Sequence, residues 1–107
     1  MSTLLQPVLK PKLSTQMRAV LMIFNADPYL SECVQPYVDT ERDSICWDPL
    51  FKMGFGSGHK AAVILAFSIW TDEVRENCNP FDAALSLSPG LQMASIKALA
   101  LRWGLTR

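Results

Sequence analysis

The 107-residue chain has a single histidine, three cysteines, five glycines and no net charge. Each scarcity excludes something. Cys33, Cys46 and Cys78 are odd in number and widely spaced, so they read as free thiols of a reducing compartment, not as a disulfide framework. A structural zinc site needs four ligands in close Cys/His pairs, and His59 is the only imidazole available, so no metal or other cofactor is expected. The longest apolar run, Ala61 to Trp70, is about half of the ~20 residues that a membrane-spanning helix requires. The first residues, Met1 to Lys12, carry neither an early basic cluster nor a long apolar block, so the expected location is cytoplasmic.

Charge is balanced overall but not along the chain. Residues 1–26 hold Lys10, Lys12 and Arg18 and no acid, and residues 83–107 hold Lys97, Arg102 and Arg107 and no acid. All ten acids lie between. Basic ends against an acidic middle suit complementary surfaces within or between subunits. Six scattered basic residues are few for a phosphate-binding face, so nucleic-acid binding through the termini ranks third among the functional readings.

What the chain does have is punctuation. Asp27-Pro28, Asp48-Pro49, Asn79-Pro80 and Ser88-Pro89 each join an N-capping side chain to a proline suited to the first helical turn. Ser14 and Ser57 offer two further starts. Met17, Val20, Leu21 and Phe24 recur at helical spacing, which favours a helix over a short buried strand at 14–25. Pro36 should end the helix that Asp27 opens. Residues 38–47 read as an acidic loop, and Gly54 as the stop of a short helix begun at Asp48. The expected fold is therefore all-α: a compact bundle of five to six helices around two apolar central helices, near 58–74 and 89–103. Residues 1–12, with Pro7 and Pro11, are expected to form an extended arm beside a single helical domain at 13–107.

Two segments invite a functional reading. Gly54-Phe55-Gly56-Ser57-Gly58-His59-Lys60 places glycines, a histidine and a lysine before a helix N-terminus, an arrangement able to meet an anion. It lacks the P-loop spacing, a preceding strand and the third glycine of a dinucleotide fingerprint. The candidate ligand-binding residues are thus Trp47, Ser57, Gly58, His59 and Lys60, with Ser57 as N-cap under the purely structural reading. A base such as His59 needs a nucleophile and an orienting group, and none can be placed beside it from sequence, so no catalytic residue is assigned. Asp39, Glu41, Asp43 and Asp48 lack calcium-loop spacing.

The second segment is the last helix, which carries two apolar stripes. Met93, Ile96, Leu99, Ala100 and Trp103 form one; Leu91, Ala94, Ala98 and Leu101 form the other. One stripe can face the core and the other needs a partner. The stripe of Leu91, Ala94, Ala98 and Leu101 is assigned to that interface. The leading functional expectation is a non-catalytic interaction or regulatory module acting as a homodimer. The alternative is a small-ligand or anion-binding protein, conceivably an enzyme, using Gly54 to Lys60. A flat apolar patch on the last helix would favour the first, and a polar cavity holding His59 and Lys60 beside Trp47 the second.

Overall fold

A computed structural model describes residues 13–75 and 77–105. The arm expected at 1–12 lies outside the described residues. The described residues form an all-α bundle of six α-helices with one two-stranded ribbon. In order these are α1 (Thr15–Phe24), α2 (Pro28–Val34), a 3-10 turn (Gln35–Tyr37), β1 (Val38–Asp39), β2 (Ser44–Ile45), α3 (Trp47–Lys52), α4 (Ser57–Thr71), α5 (Pro80–Ala84) and α6 (Pro89–Arg102).

Capping chemistry sets four of the six starts. Ser14 accepts from the Met17 N–H, Asp27 from Leu30, Asn79 from Phe81 and Ser88 from Leu91. Each bond satisfies a donor that the helix itself leaves unpaired. Two expected caps are corrected. Helix α3 begins at Trp47, ahead of Asp48, because the Cys46 N–H is tied to the Tyr37 carbonyl at 2.9 Å and the chain turns earlier. Helix α4 has Gly56 at its N-cap with no side-chain bond, so Ser57 is its first residue and not its cap.

The acidic stretch at 38–47 is more ordered than a loop. β1 and β2 pair antiparallel, with Val38 opposite Ile45 and Asp39 opposite Ser44. The Asp39 carboxylate accepts from the N–H groups of Glu41 and Arg42, and Asp43 takes a positive φ of 54°. A short polar side chain that bonds its own backbone makes such a turn without glycine. Helix α4 also stops at Thr71, short of the expected end near 74: Asp72 adopts φ 64° and closes the helix in the left-handed conformation. Gly104 does the same beyond α6 at φ 78°.

The core runs through α1, α4 and α6. Met17, Ala19, Val20, Ile23 and Phe24 of α1 are fully buried. So are Ala62, Val63 and Ala66 of α4 and Ala98 of α6. Alanines at these positions let helix axes approach closely, and α1 packs extensively on both α6 and α4.

Candidate functional site

The structure places the Gly54–Lys60 segment at the start of α4 and Trp47 apart from it. The hydroxyl-bearing Ser57 is exposed at the start of α4, and Lys60 is exposed one turn on. Gly58 is small for a packing reason: a Cβ there would stand 3.3 Å from the Ser86 carbonyl oxygen. His59 is half-buried rather than a surface residue. Its Nε2–H donates to Asp27 Oδ2 at 3.0 Å, and its ring lies 5.0 Å from Tyr29 and 6.2 Å from Phe55. Trp47 is elsewhere. It packs on Phe24, Phe67 and Trp70, and Phe67 lies eight residues along α4 from His59, roughly 12 Å of helix rise. Neither of the two described cavities is lined by Trp47, Ser57, Gly58, His59 or Lys60.

Asp27 has a double role that the sequence did not disclose. One oxygen caps α2 through Leu30, and the other receives His59 from α4, which pins two helix starts together. The Leu30 N–H, then the His59 bond, hold its carboxyl below the usual carboxylate value, against an opposing desolvation penalty. A carboxyl with a depressed folded-state pKa contributes stability that is present above the unfolded pKa. That contribution is lost as pH falls through the lower, folded value. The urea midpoint is therefore expected to fall below about pH 4, with Asp27 as one contributor. Asp27→Asn should retain the cap yet lessen this slope. Asp27→Ala should cost about 1 kcal/mol at neutral pH.

Three acids between Asp39 and Asp48 have structural partners, Asp39 through its own turn. Asp43 accepts from Ser14 and Asp48 from Arg75, whose guanidinium lies 4.2 Å over the Phe51 ring. Among the described residues no three metal-ligating side chains cluster, and all three cysteines are free.

Helix α6 is where the apolar surface gathers, and its two stripes exchange roles. Leu91, Ala98 and Leu101 are buried in the chain's own core and Ala94 is half-buried, so the stripe assigned to a partner is already covered. The reason is shape and polarity together. Ala94 and Ala98 permit close approach of α1. Ser95, which borders that stripe, turns its hydroxyl onto the Leu91 carbonyl at 2.7 Å and so enters the core without an orphaned group. The bulkier stripe is left outside: Met93, Ile96 and Trp103 are all more than half exposed. Trp103, expected in the core, is 66% exposed.

This free stripe borders a cleft of about 510 Å³ between α4, α5 and α6. Leu65, Ile69, Phe81, Ala84, Ile96 and Trp103 give it apolar walls. Arg102 lines it too, donating Nε–H to the Ile69 carbonyl at 2.9 Å and so tying α6 to α4. Phe81 and Leu85 stand beside it, each 84% exposed. Their four-residue spacing in a short helix was legible in the sequence, but it did not say which way that helix turns. A second cavity, about 330 Å³, lies between α1 and α2 and is bordered by Asn25, Ser31, Gln35 and Thr40.

No protein-family model matches the chain, and no curated protein or solved structure is significantly similar to it. Among the described residues no helix is long and apolar enough to cross a membrane.

Proposed function

We propose that this protein is a non-catalytic interaction module that acts as a homodimer through the face formed by α5, α6 and the adjoining cleft. The observation that carries this reading is the continuity of exposed apolar side chains there. Val74, Phe81, Ile96 and Trp103 border one cleft, Met93 extends the α6 stripe, and Leu85 lies one turn beyond Phe81. With aromatic side chains of about 150–250 Å² and smaller aliphatic ones, these exposures add up to roughly 800 Å². That exceeds the ~300–600 Å² of the largest patch on a typical monomer. It equals what one partner gives to a standard interface of ~1,600 Å². A second copy brings the same apolar area to the contact, and a two-fold interface uses one patch on both subunits.

The test is oligomeric state. Light scattering at tens of micromolar should give twice the 11.9 kDa chain mass. The double variant Ile96→Glu, Trp103→Glu should weaken association by 100-fold or more, because a desolvated tryptophan is a typical interface anchor. Its circular dichroism should match the parent, since both residues are exposed. Its melting should match that of the parent at a dilution where the parent is monomeric, because association itself raises the parent's melting temperature. A parent protein that is monomeric at this concentration would refute the reading.

A further inference from the structure

The free stripe of α6 has an uneven profile that specifies how two copies meet. Along it run Met93, Ile96, Ala100 and Trp103: bulky residues toward the ends and a small one inside. Met93, Ile96 and Trp103 are exposed and Ala100 is half-buried, so all four positions lie at or near the surface of one helical arc. The opposite arc is committed to α1 through Leu91, Ala98 and Leu101.

Resting on the dimer reading, we propose that α6 packs antiparallel on α6 of a second copy, with the two-fold axis passing beside position 98. Met93 then meets Trp103 of the second copy, and Ile96 meets its Ala100. Each pair joins a large side chain to a smaller or more adaptable one, so the gap between helices is even along its length. A parallel pair would set Trp103 against Trp103 and Ala100 against Ala100, which forces the helices apart at one end and leaves a void beside it. Antiparallel alignment also brings opposite ends of the helix macrodipoles together, whereas parallel alignment opposes like ends. Phe81 of α5, which lines the cleft shared with α6, and Leu85 just past the end of α5 are carried to the flanks of the shared seam. Lys97 lies past Met93 on the far side of the arc, at the rim, where its ammonium remains in water.

Cysteine cross-linking reads this register directly. In a background with Cys33, Cys46 and Cys78 replaced by serine, the double variant Ile96→Cys, Ala100→Cys should form a covalent dimer under mild oxidation. On a non-reducing gel most of the chain should move to twice its mass. Each single variant should remain a single chain on the gel. In the antiparallel register the two Cα atoms of residue 96 are offset by about 6 Å along the axes besides the lateral spacing, beyond the ~7 Å reach of a disulfide. Circular dichroism of all three variants verifies that the fold is retained. Cross-linking of the single variants to themselves would establish the parallel arrangement and overturn the proposal. A dimer by light scattering with no cross-link in the double variant would overturn this register while leaving the dimer reading intact. A monomer by scattering would overturn both.

Discussion

Leu101→Asp is expected to unfold the protein, although Ile96→Glu, five residues earlier on the same helix, leaves it folded. Leu101 is 3% exposed and belongs to the core cluster shared by α1, α4 and α6. Aspartate there removes the leucine's burial and leaves a charge, or a protonated carboxyl, with no partner. An unpaired buried ion costs several kcal/mol. Domains of this kind have only about 5–15 kcal/mol in total. The helical signal at 25 °C should therefore be lost, or the urea midpoint should fall by more than half. Ile96 is 62% exposed, and a glutamate in its place should change the stability of the single, unassociated chain by about 0.5 kcal/mol or less. A folded Leu101→Asp variant with an unaltered midpoint would show that α6 presents its other stripe to α1.

That contrast marks where the sequence stopped being legible. Helix starts are local events, so Asp27, Asn79 and Ser88 could be read from a dipeptide and Ser14 from the apolar spacing after it, and all four accept the expected bonds. Asp48 and Ser57 failed because the starts of α3 and α4 were settled by neighbours: a ribbon bond to Cys46 and a glycine one position earlier. The two stripes of α6 are similarly apolar, and periodicity alone cannot rank them. What ranks them is the close approach that Ala94 and Ala98 allow and the self-satisfied hydroxyl of Ser95, and both matter only once α1 is in place. Residues 38–47 read as a loop because they are polar and acidic; no glycine marks the turn of the ribbon, and Asp43 supplies the positive φ instead.

Distance in sequence hid the rest. Asp27 and His59 are 32 residues apart, so a capping motif gave no hint that its second oxygen would hold an imidazole. Trp47 follows an acidic stretch and reads as exposed, yet it is half-buried among rings from α1 and α4. The candidate site moved for the same reason. His59 has its Nε2 committed to a structural bond, while of the residues with unspent apolar surface Trp103 reads as core and Phe81 and Leu85 only as parts of a short helix.

The second large effect is expected at Phe24. It heads the fully buried side chains by volume, in the last turn of α1. Its ring centre lies 6.3 Å from that of Trp47, which in turn meets Phe67 at 5.4 Å and Trp70 at 6.3 Å. Phe24 thus joins α1 to α4 by way of α3. Phe24→Ala should cost about 3–5 kcal/mol, the transfer free energy of the ring plus the cavity left behind. At about 4–8 °C per kcal/mol for a domain of this size, the melting temperature should drop by on the order of 20 °C. Trp47→Ala should cost less, because that ring is only half-buried and its Nε1–H has no hydrogen-bond partner among the described residues. The two losses should not add. With Trp47 already gone, removing Phe24 no longer breaks their contact, and the shortfall should be about 0.5–1.5 kcal/mol, as for other aromatic pairs. Urea midpoints of the parent, both single variants and the double variant measure all three quantities. A Phe24→Ala cost below about 1 kcal/mol, or full additivity with Trp47→Ala, would mean that the rings do not form the joint between α1 and α3.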